Sequence, residues 1–182
     1  EGGGNGSIAA AMQGERADGV VVCEGTNYEL VAAHMGFVFF RVEVEGLAVH
    51  SGIKWKGVSA IHKAMRLMSA LDELEHMWLM RYKHPLLPAP NLNVCTIHGG
   101  SAGSTTAAAC AFEVCVHYLP GQMAYEQVVA EFTETINLAC RGDRWLDEHR
   151  PKLTVYQSGN GFEMDLTHAF TRAFQRAWQD VH

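Results

Sequence analysis

The sequence predicts an α/β fold: a β-α-β-β-α-β sandwich over residues 36–157, set between a βα piece before it and a helix after it. Three observations carry this. Residues 37–44 are aromatic and β-branched, and Arg41, Glu43 and Glu45 alternate with Phe40, Val42 and Val44, the period of a half-buried strand. Residues 57–82 repeat apolar side chains at three- and four-residue steps, the period of an amphipathic helix. Two more strand-like runs, a second amphipathic stretch and a short final strand complete the order. An inserted domain interrupting a host would leave such flanking pieces on both sides.

In chain order, residues 1–7 (EGGGNGS) form a glycine-rich loop leading into a short helical segment, Ile8 to Gln13, ended by Gly14. No GK[ST] follows and no strand precedes, so this is not a phosphate-cradling loop. Asp18-Gly19 opens Val20-Val21-Val22-Cys23, an unbroken apolar run of the kind that suits a parallel strand buried on both faces. Glu24 would then lie at the carboxyl end of that strand, where open α/β sheets bind ligands; its plainer reading is a capping or solvent-facing carboxylate. The strand at 37–44 stops at Gly46, and His50 follows between Val49 and Ser51-Gly52. The helix over 57–82 places Ile61, Ala64, Met65, Met68, Leu71, Leu74 and Trp78 on its packed face, with His62 and His76 on its solvated sides. Pro85, Pro88 and Pro90 make a linker. Residues 92–98 form a strand closed by Gly99-Gly100 and the small-residue stretch SAGSTTAAA; residues 110–119 form the next, ended by Pro120-Gly121. A helix over 125–140 packs through Val128, Val129, Phe132, Ile136 and Leu138. Residues 153–156 are a short strand, and a last helix over 166–181 carries Phe170, Phe174, Ala177 and Trp178 on one face.

Composition narrows the function classes. A net charge of -6 without any basic run argues against nucleic acid or an anionic membrane as partner. No apolar stretch approaches the ~20 residues of a membrane span, and no secretory leader pattern is present. The five cysteines (Cys23, Cys95, Cys110, Cys115, Cys140) are odd in number, mostly within apolar runs and never spaced CxxC. That is the usage of reduced, buried thiols in a cytoplasmic protein. The chain opens on Glu1 rather than methionine and has the look of a segment of something longer.

Taken together, several local patterns resemble one family. They are a glutamate before Gly4-Asn5-Gly6, Glu24-Gly25-Thr26 at a strand end, and His34-x-Gly36 before a strand that leads to His50. Gly57-Val58-x-Ala60-Ile61 opening a helix, and Gly99-Gly100, Ser104-Thr105, Cys110 and Tyr118-Leu-Pro-Gly121, follow in order. The pattern is similar to the zinc-dependent aminoacylase, acetylornithine deacetylase, succinyl-diaminopimelate desuccinylase and glutamate carboxypeptidase family, and within it to the acetylornithine deacetylase-like branch. The resemblance covers nearly the whole chain. It implies a ferredoxin-like lid that dimerises, at 36–150, inserted in a zinc-hydrolase catalytic domain represented by 1–35 and 151–182.

The resemblance also implies roles. Glu1 matches the second of a paired Glu-Glu and would bind one zinc; a shift of one position would make it the general base instead. Glu24 matches the acidic ligand of the other zinc, with Co²⁺ or Mn²⁺ as substitutes. His50 matches a lid histidine that reaches the partner subunit's active site and steadies the tetrahedral oxyanion. Ser104 and Thr105 stand where relatives contact substrate. The chemistry implied is hydrolysis of an N-acyl amino acid or small peptide: the metal acidifies a water, a glutamate takes its proton, and an imidazole N–H helps hold the oxyanion.

The match departs from the family pattern at several places. Further metal ligands of the family have no counterpart here, so this polypeptide by itself is expected to be inactive, since a catalytic zinc needs about three protein ligands. Cys115 replaces an arginine that in relatives binds a substrate carboxylate, and Ala107 replaces a proline. The alternative is a lid-type dimerisation or ligand-binding module without zinc chemistry. Residues 37–40, apolar on both faces, add a physical reason to expect a partner strand, within the sheet or across a homodimer.

Overall fold

The computed structural model describes residues 5–22, 26 and 29–181. It divides into two compact units, one formed by His34–Phe162 and the other by the segments on either side.

The His34–Phe162 unit is built on a four-stranded antiparallel sheet. Its strands are β2 (Gly36–Glu45), β3 (Asn91–Gly99), β4 (Ala109–Tyr118) and β5 (Lys152–Gly159), in the spatial order β3-β4-β2-β5. Two-residue strands β1 (Ala33–His34) and β6 (Phe162–Glu163) pair separately. The expected β-α-β-β-α-β order holds, with α2 (Ala60–Arg81) and α3 (Tyr125–Arg141) as its helices and a short α4 (Arg144–Glu148) added after α3. The unit runs past residue 150, where the sequence reading ended the lid: β5 pairs with β2 from Phe37↔Gly159 to Glu43↔Lys152.

Alternation in the sequence becomes two-sidedness in the sheet. Val38, Phe40, Val42 and Val44 of β2 are buried with Phe112, Val114 and Val116 of β4 under both long helices. Phe40 stacks on Phe132 of α3 with ring centroids 3.8 Å apart and planes 4° from parallel. The other parity (Phe37, Phe39, Arg41, Glu43) lies on a face that carries no helix and is only half-buried. Cross-strand pairs occupy this face: Arg41 Nη1 to Glu113 Oε1 at 2.9 Å, and Lys152 Nζ to Glu43 Oε2 at 3.1 Å. Strand β2 is an interior strand, so its apolar character is answered by β4 and β5 and does not itself require a second subunit.

Helix α2 starts at an N-cap, Ser59, whose Oγ accepts from the His62 N–H. Its buried residues are Ala60, Ala64, Leu67, Leu71, Leu74 and Trp78, with Ile61 and Met68 packed at the margin. Leu67 replaces the expected Met65, which is exposed. On α3, Cys140 is buried and the expected Leu138 is exposed. The exposed Met65 and Leu138 each lie two positions from the residue that takes the buried place, while Ala64, Leu71, Leu74 and Trp78 of α2 and Val128, Phe132 and Ile136 of α3 are buried as expected. His62 and His76 are exposed, as expected. Lys63 of α2 reaches Asp143, the N-cap of α4, at 2.7 and 2.9 Å, tying the first turn of α2 to the start of α4.

The second unit contains α1 (Asn5–Met12) and α5 (Ala169–Gln179). Here the expected parallel strand at 20–23 is not found among the described residues: Val20, Val21 and Val22 lie outside any ladder and are exposed. A strand needs neighbours to take its backbone hydrogen bonds, and no described strand pairs with this run. On α5, Phe170, Phe174 and Trp178 are half-buried, Ala177 is exposed and Thr171 is the buried residue. No described helix is long and apolar enough to cross a membrane.

Candidate functional site

His50 sits on an arm that leaves the end of β2 and turns back into α2. Two positions make the arm possible. At Gly46, a Cβ would lie 2.5 Å from the carbonyl oxygens of Ala107 and Val58. At Gly57, it would lie 2.4 Å from the Val49 side chain and 2.8 Å from Thr106 Oγ1. Only glycine lets the returning strands approach so closely.

The arm is then pinned to residues 104–107. His50 and Thr105 form a β-bridge, the Ser51 N–H donates to the Ser104 carbonyl at 2.8 Å, and the Thr106 N–H donates to Val49 O at 2.9 Å. Thr106 Oγ1 accepts from the Val49 N–H at 2.8 Å and donates to Leu47 O at 2.9 Å. The structure thus brings together three of the residues singled out by sequence, His50, Ser104 and Thr105, across more than fifty residues of chain. Thr106, which does the pinning, was not anticipated; a threonine between two loops carries no pattern that would have marked it.

The ring of His50 is oriented locally. Its Nδ1 accepts from the Gly52 N–H at 3.1 Å, which leaves the ring proton of the neutral form on Nε2. His50 is exposed, so this N–H is presented outward, as an oxyanion donor would need. The turn that follows, Ser51–Lys56, is also exposed and presents Ile53 and, between Lys54 and Lys56, Trp55, which is 74% exposed. Beside the arm, a cavity of about 490 Å³ opens at the start of α2, lined by Ser59, Ile61, His62, Thr105 and the glycine-rich segment 99–103.

Glu1 and Glu24, the two carboxylates assigned to metal, lie outside the described residues. Among the described residues, no group of three or more His, Cys, Asp or Glu side chains is arranged to hold a metal ion. What the described residues offer is therefore an oriented imidazole and polar backbone, without a metal centre.

Cys115 lies on the helix-free face of the sheet, opposite Phe39 and Asn93. It is buried, and burial, with Cys95 nearby, pushes its thiol up to about 11. It is a packed thiol rather than a reactive one. Cys110 and Cys140 are likewise free and buried, in line with cysteines mostly within apolar runs, whereas Cys95 is free but exposed. His117, two residues from Cys115, is held below the usual histidine range by burial and by His34.

The fold finds counterparts among known proteins. An N-formyl-4-amino-5-aminomethyl-2-methylpyrimidine deformylase of Halalkalibacterium halodurans is 33% identical over 109 residues, 58% of this chain and 25% of that protein. An acetylornithine deacetylase of Pectobacterium carotovorum is 27% identical over 146 residues, 78% of this chain and 38% of that protein. Among solved structures, a tripeptidase from Staphylococcus aureus superposes with a TM-score of 0.62 at 20% identity, over 83% of this chain and 36% of that one. The chain thus spans well under half the length of these relatives. Residues 32–144 match the M20 peptidase dimerisation domain, the segment that holds β2, α2, β3, β4, α3 and the His50 arm, and the chain belongs to that family.

Proposed function

We propose that the protein to which this chain belongs is a metal-dependent amide hydrolase, a deacylase or peptidase acting on N-acyl amino acids or small peptides. The observation that carries the reading is the fixed ring of His50, with Nδ1 satisfied by Gly52 and Nε2 free on an exposed arm. The similarity to a deformylase, a deacetylase and a tripeptidase, all of which cut C–N bonds of acylated amines, supports it.

On this reading the His34–Phe162 unit is a lid that pairs with a second copy, and the segments on either side of it belong to the catalytic part. His50 donates its Nε2 proton in a hydrogen bond to the oxyanion formed at the substrate carbonyl, and Ser104 and Thr105, held against it, contact the substrate. Glu1 and Glu24 would each offer a carboxylate to zinc, or to Co²⁺ or Mn²⁺ in its place; such an ion, when bound, supplies an acidified water. The free cysteines suit a reducing, cytoplasmic setting.

The test uses the intact protein, loaded with zinc and assayed on a panel of N-formyl, N-acetyl and dipeptide substrates. His50→Ala should lower turnover by about 10²–10³-fold, the usual loss for one oxyanion donor. Turnover within a few-fold of wild type would remove His50 from the chemistry. Sedimentation should show a dimer at micromolar concentration, and a monomer would remove the second copy.

A further inference from the structure

We propose that the turn Ser51–Lys56 is a docking surface for a second copy of the protein, with Trp55 as its apolar anchor and Lys54 and Lys56 seating it on the acidic segments 1–33 and 163–182 of that copy. The inference rests on the reading of the His34–Phe162 unit as a lid that pairs with a second copy, and it names the surface through which the lid meets the rest of its partner. Trp55 stands apart from the other tryptophans of its unit. Trp78 is 1% exposed, and its Nε1 donates to Glu131 Oε2. Trp145 stacks on His149 with ring centroids 3.8 Å apart, and its Nε1 donates to the Glu45 carbonyl at 2.9 Å. Trp55 is largely exposed, and neither its ring nor its N–H has a partner among the described residues. Leu47 and Ile53, on the same arm, are exposed as well. Tryptophan is among the side chains enriched at the energetic centres of protein interfaces.

The turn holds this anchor ready. The Ile53 N–H donates to the His50 carbonyl at 2.9 Å, the Gly57 N–H donates to the Lys54 carbonyl at 3.0 Å, and a bridge between Leu47 and Val58 closes the base. An anchor fixed through its backbone loses little freedom on binding, so more of its contact energy appears as affinity. Charge selects the occupant. Lys54 and Lys56 make no ion pair among the described residues, and no acidic residue lies between Glu45 and Asp72. Segments 1–33 and 163–182 hold eight acidic and three basic residues, whereas residues 34–162 hold twelve and eleven. Nearly all of the net charge of -6 therefore belongs to the flanking segments, and the basic turn finds its complement there. A second copy is the source of those segments because the turn continues the His50 arm and lies inside the stretch matched to a dimerisation domain.

The experiment places a photo-crosslinking benzoylphenylalanine at position 55 of the intact protein. Unlabelled and heavy-isotope-labelled preparations are mixed in equal parts until native mass spectrometry shows mixed dimers, then irradiated, and the linked peptides are mapped. The expected product joins the peptide of position 55 to one from residues 1–33 or 163–182, with the two ends carrying different isotopes. Adding Lys54→Glu and Lys56→Glu, both at exposed positions, should lower the yield of that product by at least about fivefold at low salt. A protein that stays monomeric at micromolar concentration removes the second copy itself, and the docking surface with it. A dimer in which position 55 links only within its own copy, only to residues 34–162 of the other, or to nothing leaves the pairing intact and overturns the docking surface. A yield unchanged by the two charge reversals overturns the seating on acidic segments.

Discussion

The two units of this chain obey different rules of stability. In the His34–Phe162 unit, apolar side chains from β2, α2, β3, β4, α3 and α4 meet in one cluster, and residues as large as Trp78, Phe40, Phe112 and Phe132 are fully buried. In the other unit the only buried residues described are Ala33 and Thr171, the Thr171 hydroxyl finds no partner, and Val20, Val21, Val22, Ile8 and Met12 face solvent. Burial of apolar surface is the main favourable contribution to folding. The first unit therefore carries its own stability, while the described residues of the second bury very little apolar surface.

Substitutions at three depths break or sharpen this contrast. The largest effect belongs to Phe132→Ala, which removes a ring stacked on Phe40 and should cost about 3–5 kcal/mol in chemical denaturation. A loss below ~1 kcal/mol would mean that the core is not the shared cluster described. Next comes Asp143→Asn, which takes a carboxylate from Lys63 and weakens the α4 cap that bonds Trp145 and Leu146; about 1.5–3 kcal/mol is expected. The same residue sets an acid limit. Burial alone would raise the Asp143 pKa, but the Lys63 bond, the Leu146 and Trp145 N–H groups and the Lys63 charge together bring it below the ordinary 3.8. A depressed carboxylate contributes stability that is complete above its unfolded value and lost as pH falls through the folded one. Stability measured downward from pH 5 should therefore fall less steeply in Asp143→Asn than in the parent, and parallel curves would exclude this contribution. The smallest effect belongs to Val21→Asp, at a side chain 52% exposed, which should change stability by no more than about 0.5 kcal/mol. A larger loss would reveal a core in the second unit.

The same contrast explains what was legible from sequence. Periodicity reports whether a segment has an apolar side, and wherever that side meets a core the elements appeared in the expected order. It does not report whether a neighbour exists, so residues 20–22 read as a buried strand and stand exposed. It also weighs apolar side chains alike: Met65 and Leu138 counted as core, although exposed methionine and leucine are common and Leu67 and Cys140 took the buried places. Helix α4 was missed because five residues hold too little of a period to detect. For the site, position after the strand singled out His50 and the family resemblance singled out Ser104 and Thr105, but that the three lie together is seen only in the structure. The bridge that joins them runs between segments far apart in sequence, and its anchors, Thr106 and the close approach at Gly57, depend on three-dimensional packing. Glu1 and Glu24 fall outside the described residues, so their roles stand as proposals.

The paired strands β1 and β6, and the stacking of His34 on Phe162 with ring centroids 6.1 Å apart, place the first and last residues of the larger unit side by side. For the surrounding chain, that unit is a loop whose ends are already joined by its own fold. The entropy of closing a loop grows only with the logarithm of its length, about 0.6 kcal/mol for each doubling, and a folded insert fixes the gap its host must span. Residues can be added or removed at the far tips of the unit without changing that gap. A surrounding fold would thus experience the whole unit, however elaborate, as a short turn.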